Sequence, residues 1–546
     1  MHRPGKDIMV FFIFRTSFSL PAFSLAGKVG KASDDKRAIM SVRKLHQIFL
    51  SLCAMALAHM AGGQTQQALD SLWRPQLHFS AKSHWLNDPN GMVYNKGVYH
   101  LFFQHHPYSP VWGPMHWGHA TSRDLVHWDE QPIKLYPDSL GYIFSGSTVV
   151  DKDNTSGLGT SENPPLVAIF THHDPKTEKT SNTFQVQSLA FSLDNGKTWT
   201  KYAGNPVLKN PGIVDFRDPK VMWHEEHKRW IMTLATKDCV TFFSSPNLKD
   251  WTPETDFGKN AGAHGGVWEC PDLFPLEYDG KTYWILLVSI NPGGPNGGSA
   301  TQYFVGDFDG KQFTASHEDT RWLDYGPDDY AGVTWSNTGN RRIFIGWMSN
   351  WDYTNNLPAQ QWRNAMTLAR DLRLEKAGDK MVVASRTVTE LQASRVQTQS
   401  KENQEISAGR ALKIAVPGPG KAWQIELETD AGKDFHIRLM NDLGEELMVG
   451  YNSRQNIYYM DRGLSGQVAS AQNFSRKITA PRLASGATIR LSLWVDASSA
   501  ELFADDGLTV MTTAYFPGKP FREAVIGSPD RVKIRTVSWS SMKIAD

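Results

Sequence analysis

The sequence predicts an all-β protein, a five-bladed β-propeller followed by a C-terminal antiparallel β-sandwich. Its composition is the first observation: 44 Gly and 29 Pro accompany 19 Trp, 16 Tyr and 27 Phe, which favours strands joined by tight turns over long helices. The second is an aromatic repeat, and the third is a change of pattern after about Leu374. A chain of 546 residues is also too long for one ordinary core, so we expect two folded domains.

The repeat consists of a polar turn followed by an aromatic residue, at Trp128, Trp199, Trp251 and Phe313. Five strand-like runs, each after a turn rich in Gly, Asp, Asn, Lys or Arg, accompany it: GVYHLFFQ, PLVAIFTHH, RWIMTLAT, TYWILLVSI and RRIFIGWMS. The spacing leaves room for several strands in each unit, which matches propeller blades better than a sandwich or a barrel. We therefore expect five four-stranded blades over residues 75–375.

The pattern changes beyond the last of these runs. Residues 376–405 are polar, and we interpret them as a linker with one or two helical turns. From about Ala411 short alternating strands return, separated by Gly, Asp and Asn turns. About eight such strands predict an antiparallel β-sandwich over residues 406–546.

Residues 1–63 form an N-terminal extension that ends in a predicted signal peptide. From Met40, basic residues precede an apolar run over 48–58 and then small residues, which is the layout of a secretory signal too short to span a membrane. We therefore predict that translation starts at Met40 and that the protein is secreted or periplasmic, with no membrane span after processing. Lipid anchoring at Cys53 is disfavoured, because Leu52 is large where lipidation signals have a small residue.

The net charge and the number of potential metal ligands limit the binding partners and cofactors that the sequence predicts. The 57 Lys and Arg residues against 56 Asp and Glu leave a net charge of +1, so no global field attracts nucleic acid or an anionic membrane. Only scattered histidine pairs are present, and we expect neither a metal site nor a cofactor. Cys239 and Cys270, which remain after signal removal, are too few for a disulfide framework.

Three acidic motifs are candidates for glycosidic-bond chemistry, which needs two carboxyl groups. They are HWLNDPNG with Asp88, DFRDPK with Asp218 and VWECPDLF with Glu269. Taken singly, each is more often structural, since Asp-Pro is a common turn pair. However, each precedes a strand-like run of its own repeat, and the first strands of all blades line the centre of a propeller. We therefore expect the three acids to meet in one pocket.

Together with YHLFFQHHPYSPVWGPMHWGHATSRDLVHW, FSGS, DDYAG and QWRNAMTLARDL, these motifs make the chain resemble glycoside hydrolase family 32, the invertases, levanases and inulinases. The resemblance covers nearly the whole mature chain. Leu86 and Ala369 depart from it, standing where Met and Pro are common. The family's five-bladed propeller and β-sandwich agree with the blade count above.

The resemblance implies that Asp88 attacks C2 of the fructosyl unit and that Glu269 is the acid/base. It also implies that Asp218 binds ring hydroxyls and stabilises the transition state, with Arg217 as its charge partner, so that Asp218 should stay ionised. Further positions match the family's surroundings of the terminal fructose: Asn87, Gln104, Trp112, Phe144, Ser145, Asp329 and Trp347. The aromatic ones could also simply fill the wall, as could Cys270, while Asp272 is interpreted as a turn or supporting acid.

The expected activity is that of a retaining glycoside hydrolase, forming a fructosyl-enzyme intermediate. Its substrate would be a terminal β-D-fructofuranosyl residue of levan, inulin or a fructo-oligosaccharide, with sucrose as a further candidate. An endo-levanase of the same family is the main alternative. A hydrolase of arabinan or xylan on a related propeller is less favoured, because that family lacks the NDPNG and WECPD blocks together. A sugar-binding propeller without activity is less favoured because all three acidic motifs are intact.

Overall fold

The computed structural model describes residues 65–418, 420–467, 474 and 477–543. The predicted signal peptide and the start at Met40 lie outside the described residues. Helical structure in the described part is confined to residues 65–72, Thr354–Asn356 and Thr389–Ala393. None of these helices is long and apolar enough to cross a membrane.

Five sheets follow one another along residues 84–387 and form five blades. Blade 1 comprises His84–Asn95, Val98–His106, His116–Ser122, Asp129–Leu135 and Trp362–Arg363. Blade 2 comprises Tyr142–Val150, Leu166–His173, Gln185–Ser192 and Thr200–Lys201. Blade 3 comprises Phe216–His224, Arg229–Thr236, Cys239–Ser245 and Thr252–Phe257.

The last two blades complete the set. Blade 4 comprises Val267–Tyr278, Lys281–Asn291, Ala300–Phe308, Phe313–Ala315 and Arg321–Trp322. Blade 5 comprises Tyr330–Thr334, Ile343–Met348, Ala365–Met366, Arg370–Ala377 and Lys380–Thr387. Blades 1, 4 and 5 thus each carry one short strand beyond the four that the sequence predicted.

The first strands of the blades form a closed ring. Each contacts the first strand of the next blade, and the first strand of blade 5 returns to that of blade 1. The strand Trp362–Arg363 pairs in parallel with His84 and Trp85, so a segment between the second strand of blade 5 and Ala365–Met366 joins the blade 1 sheet. This ring confirms the five-bladed propeller.

The aromatic repeat marks one position in four of the blades. Trp128, Trp199 and Trp251 stand directly before the fourth strands of blades 1, 2 and 3, and Phe313 opens the fourth strand of blade 4. The strand-like runs of the sequence are the second strands of the five blades. Blade 5 has no such aromatic residue; its fourth strand opens with Lys380.

Two six-stranded sheets form the sandwich. In spatial order the first contains Arg395–Ile406, Val532–Met542, Trp423–Asp430, Thr488–Val495, Ser499–Ala504 and Thr509–Ala514. The second contains Leu412–Ala415, Glu523–Gly527, Phe435–Met440, Glu446–Asn452, Ile457–Leu464 and Lys477–Pro481. Apolar side chains from both sheets form one buried core between them.

The segment 376–405 is mostly strand, and the prediction of a linker is wrong. Lys380–Thr387 is the outer strand of blade 5, Thr389–Ala393 is a short helix, and Arg395–Ile406 is the edge strand of the first sandwich sheet. The edge strand exposes most of its side chains. A solvent-facing edge needs charged and polar residues, which makes such a strand resemble a linker in sequence.

Candidate active site

The three predicted acids lie near the starts of first strands, Asp88 in blade 1, Asp218 in blade 3 and Glu269 in blade 4. The thiol of Cys270, the residue after Glu269, lies 3.5 Å from Asp88 Oδ2 and 3.6 Å from Asp218 Oδ2. The ring of first strands therefore brings the three acids into one pocket at one end of the propeller. Within that pocket Cys270 is a wall residue, as the sequence suggested.

Each first strand has a β-bulge at the level of the three acids. The register with the second strand breaks at Asp88, at Phe144 and Ser145, at Asp218, at Cys270, and at Ala331. In three of the five the break coincides with a proline of the motifs NDP, RDP and ECP. Proline cannot donate to a sheet and is accommodated at bulges, and a bulge re-aims a side chain. The motifs thus encode the bulges that turn the acids into the pocket.

The bulges hold unusual backbone conformations. Asp218, Cys270 and Ala331 have φ values of +65°, +46° and +54°, a region that non-glycine residues rarely occupy. Side chains of the preceding blades hold two of them: Thr171 Oγ1 accepts from the Asp218 amide at 3.0 Å, and Ser289 Oγ accepts from the Ala331 amide at 3.1 Å. Contacts between blades therefore fix the strained backbone of the site.

Asp88 is held by two donors. Ser145 Oγ donates to Oδ2 at 2.7 Å, and Asn87 Nδ2 donates to Oδ1 at 3.0 Å. Trp85 Nε1 fixes Asn87 in turn, donating to its Oδ1 at 2.7 Å. Burial raises the pKa of Asp88, and the neighbouring Glu269 raises it further, while the bonds from Ser145 and Asn87 lower it. These donors favour the carboxylate in a site that would otherwise protonate it.

Glu269 is held on both oxygens. Arg217 donates to Oε1 through Nη2 at 2.9 Å and Nε at 3.1 Å, and the Tyr330 hydroxyl donates to Oε2. Burial and the adjacent Glu269 raise the pKa of Tyr330 well above its ordinary value, so the phenol stays a donor. The Asp215 carboxylate accepts a hydrogen bond from Nη1 of the same Arg217 guanidinium. Tyr330 and Asp215 were not among the predicted site residues, although they lie within the motifs DDYAG and DFRDPK.

The protonation expected for Asp218 is corrected by the structure. Burial raises its pKa to about 7; Arg217 lowers it, but Glu269 and Asp88 add to the rise. Arg217 approaches Asp218 only to 4.0 Å, because its guanidinium is directed at Glu269 and Asp215. The single arginine is shared among three acids, so burial outweighs it at Asp218. The net effect on the pKa of Asp218 is therefore upward, and Oδ2 accepts from the Cys270 amide at 3.0 Å.

Other predicted residues surround these acids. Gln104 is buried opposite Asn87 on the neighbouring strand and donates to Asn90 Oδ1 at 2.7 Å. Phe144 stacks on His173 with ring centroids 4.2 Å apart. Trp112 meets Phe144 edge-on at 6.2 Å and is 40% exposed at the rim of the pocket.

Two predicted binding residues lie behind the pocket wall instead of on it. The Asp329 side chain is fully enclosed and accepts from Arg370 Nη1 at 2.9 Å, in an ion cluster between the two domains. Trp347 is fully buried beneath Trp85 and Trp351. Asp329 precedes Tyr330, and alternation along a strand sends neighbouring side chains to opposite faces. The partly exposed Trp351, which stacks on Trp85 at 6.0 Å, was missed within the same GWMSNW stretch.

Asp272 faces away from the three acids. It accepts from the amide and hydroxyl of Thr334 at 2.6 and 2.8 Å, and pairs with Lys220 at 3.2 Å. Both charged residues line a cavity of about 800 Å³ that contains none of the three acids. Asp272 is therefore a supporting acid, as the sequence analysis favoured.

Two family models match the chain: the N-terminal domain of the glycosyl hydrolases family 32 over residues 78–385, and the C-terminal domain of the same family over residues 390–545. The chain belongs to glycoside hydrolase family 32. It is a glycoside hydrolase, and the three acids of the pocket all fall within the matched N-terminal domain.

Curated relatives of this chain include a levanase, an exo-inulinase and an invertase. A levanase of Bacillus subtilis is 43% identical over 88% of this chain and 72% of its own length. An extracellular exo-inulinase of Aspergillus niger is 38% identical over 86% of this chain and 93% of its own. An invertase of Schwanniomyces occidentalis is 34% identical over 88% of this chain and 94% of its own.

Solved structures of the family show the same fold. The exo-inulinase of Aspergillus awamori superposes with a TM-score of 0.80 at 34% identity, covering 87% of this chain and 98% of that one. A variant of the fructofuranosidase of Schwanniomyces occidentalis, solved in complex with fructosylnystose, superposes equally well. Its TM-score is 0.80 at 34% identity, over 86% of this chain and 97% of that one.

Proposed function

We propose that this family 32 enzyme is a retaining exo-hydrolase that removes terminal β-D-fructofuranosyl residues from levan or inulin, and also from sucrose. The observation that supports it most is the pairing of two differently held carboxyl groups in one pocket: Asp88 between Ser145 and Asn87, and Glu269 between Arg217 and Tyr330. Relatives named levanase, exo-inulinase and invertase support the substrate class.

In the proposed first step the Asp88 carboxylate attacks C2 of the terminal fructosyl unit. The bond from C2 to the glycosidic oxygen breaks, and Glu269 gives its proton to that oxygen as it leaves. A fructosyl ester of Asp88 results. Asp218 binds ring hydroxyls and, as a carboxylate, stabilises the positive charge that develops on the sugar.

In the second step Glu269 takes a proton from water, and the hydroxide attacks C2 and releases Asp88. Ester formation has by then removed the negative charge of Asp88 beside Glu269. Arg217 keeps the Glu269 carboxyl in place through its two bonds to Oε1. The product is β-fructose, and a carboxyl separation of about 5 to 5.5 Å between Asp88 and Glu269 is expected for this route.

We further propose that the enzyme acts outside the cytoplasm, with the segment from Met40 as its signal peptide. The extracellular exo-inulinase among the relatives supports this. N-terminal sequencing of the mature protein tests it, because retention of residues before position 50 would contradict a cleaved signal.

A product time course tests the activity. Levan, inulin and sucrose are each incubated with the enzyme, and products are separated from the first minutes onward. An exo-hydrolase releases free fructose from the start, an endo-levanase releases oligosaccharides first, and a sugar-binding protein releases nothing. Rapid NMR of the first fructose formed should show the β anomer. An α anomer would make Asp88 a general base and contradict the retaining mechanism.

The roles of the two carboxyls are separated by leaving group. In Glu269→Ala, hydrolysis of a fructan should fall about 10²- to 10⁴-fold, whereas a fructoside with a good leaving group, which needs no protonation, should lose much less in its first step. Asp88→Ala should abolish turnover of both substrates. Equal losses for both substrates in Glu269→Ala would remove Glu269 from the acid role.

A further inference from the structure

Exposed aromatic rings continue outward from the rim of the pocket along blade 1. Tyr108 is 72% exposed and Tyr136 is 52% exposed, beside the 40% exposed Trp112. Most of the other large apolar side chains of the described residues are buried in the cores. Clustered exposed apolar groups next to a site commonly mark a binding surface. We call Trp112, Tyr108 and Tyr136 the aromatic stripe.

The members of the stripe are connected by ring contacts. Trp112 meets Phe144 of the pocket wall at 6.2 Å. Farther out, Tyr108 and Tyr136 pack on either side of His116, with centroid distances of 5.8 and 5.5 Å. His106 contacts Tyr108 at 6.1 Å and bonds the Val111 carbonyl at 2.9 Å, and so connects the outer rings to Trp112.

The topology places the stripe on the same face as the three acids. First strands begin at this face, so the loop between the second and third strands of blade 1, which carries Tyr108 and Trp112, also lies there. Tyr136 follows the fourth, outermost strand of the blade. The stripe therefore runs radially, from the inner strand at Phe144 to the outer edge of blade 1.

The stripe is held in place before any ligand binds. His116 is buried, the Trp112 amide donates to Asn355 Oδ1 at 3.1 Å, and a side chain at Gly113 would clash with the His106 ring at 2.5 Å. The three rings carry no charge, and the nearby charges of Lys201 and Asp138 pair with each other at 2.5 Å. A rigid, uncharged aromatic surface fits a neutral carbohydrate, because ordered rings bind with little loss of conformational entropy.

We propose that the aromatic stripe binds the fructosyl units of a polymeric substrate that follow the terminal one, so that it selects for long fructans over sucrose. This rests on the proposed function, since the pocket at the inner end must hold the terminal fructosyl residue. The occupant is the substrate chain itself, because the stripe is continuous with the Trp112 and Phe144 wall. Disaccharides are too short to reach Tyr108 and Tyr136.

The test is the double variant Tyr108→Ala/Tyr136→Ala, assayed on long levan or inulin and on sucrose. We expect kcat/KM for the polymer to fall about five- to tenfold, mainly through KM, since each stacking contact contributes modestly to binding. Sucrose turnover should change less than about twofold. Tyr108→Phe/Tyr136→Phe should retain polymer activity, because the rings remain. The matched control is Leu443→Ala/Leu464→Ala, which removes two exposed apolar side chains from the sandwich.

Equal loss on both substrates, or no loss on the polymer, would overturn the proposal. A wild type inactive on every fructoside would instead contradict the proposed function, and the stripe would then be tested by binding alone. For that purpose migration in gels containing levan or inulin is compared for Asp88→Asn with and without the two tyrosine substitutions. A change of oligomeric state with unchanged polymer retardation would assign the stripe to a second copy of the chain.

Discussion

In each of two clusters of this enzyme, three acids surround a single arginine. One cluster lies in the pocket, and the other lies between the two domains. In the pocket Arg217 and Glu269 retain 12% and 20% of their side-chain exposure. Between the domains, Arg370 and its three acids are fully buried. The acids of the pocket cluster are Asp215, Asp218 and Glu269, and those of the interdomain cluster are Asp324, Asp329 and Glu501.

The same side-chain chemistry serves two purposes because access differs. Arg370 bonds Asp324 and Asp329 beside blade 5 at 3.0 and 2.9 Å, and Glu501 of the sandwich at 2.6 Å. It therefore joins the two domains without contacting solvent. Arg217 instead stands on a bulged, partly open strand, where its acids can meet a substrate. The family resemblance did not separate these clusters, since it placed Asp329 among the positions around the terminal fructose.

Replacing each arginine by methionine should give the largest difference in effect between the two clusters. Arg217→Met should lower kcat about 10²- to 10³-fold, more than the rise in KM explains, because Oε1 of Glu269 loses both donors and the transition state loses a cation. Arg370→Met should lower the free energy of unfolding by about 3–5 kcal/mol, because it leaves buried acids uncompensated. Urea unfolding and initial rates on sucrose measure both.

Each arginine variant serves as the control for the other. Arg370→Met should keep its kcat per folded molecule at low temperature, and Arg217→Met should unfold near the wild-type urea concentration. If Arg370→Met lost activity while remaining fully folded, the interdomain cluster would have a catalytic role and the comparison would fail.

Replacement of Asp218 by asparagine should stabilise the fold while it removes activity. The folded pKa of about 7 lies above the ordinary value of 3.8, so ionisation of Asp218 destabilises the native state increasingly as the pH rises through this window and fully above it. Asp218→Asn removes that cost. The variant should exceed wild type in urea midpoint at pH 8, less so at pH 5.

The exposed Asp379 in the hairpin of blade 5 gives the control, because Asp379→Asn should shift neither midpoint measurably. A stability gain of Asp218→Asn that grew as the pH fell would mean that Asp218 is held as a carboxylate, as the sequence analysis expected.

A smaller effect is expected at His78, which joins the domains beside the Arg370 cluster. Burial alone would lower its pKa, but bonds of 2.8 Å to Asp496 and to Glu501 outweigh burial and raise the pKa to about 9. Stability from the imidazolium is therefore complete below about pH 6.5 and is lost as the pH rises through about 9, by roughly 3 kcal/mol.

His78→Gln should remove this pH dependence, whatever its effect on absolute stability. The measurement is the slope of unfolding free energy between pH 6 and 9.5, compared with wild type. An unchanged slope would assign the alkaline loss of stability to other groups.

The sequence by itself determined the fold class, the blades and the three acids. Trp128, Trp199, Trp251 and Phe313 each mark the outer strand of a blade, because strand and turn patterns are local and repeat with the structure. The three acidic motifs predicted a shared register, because each precedes a strand-like run of its own repeat. These signals lie within a few residues of chain and need no knowledge of distant contacts.

Only the tertiary structure decided which acids are accessible to solvent and how the pKa of each acid is shifted. Asp329 and Tyr330 are adjacent, yet the blade packing sends one to Arg370 and the other to Glu269. The raised pKa of Asp218 depends first on its burial and then on Arg217, Glu269 and Asp88. Ring closure and domain packing set these distances and burial, and both join segments far apart in the chain, so no local pattern records them.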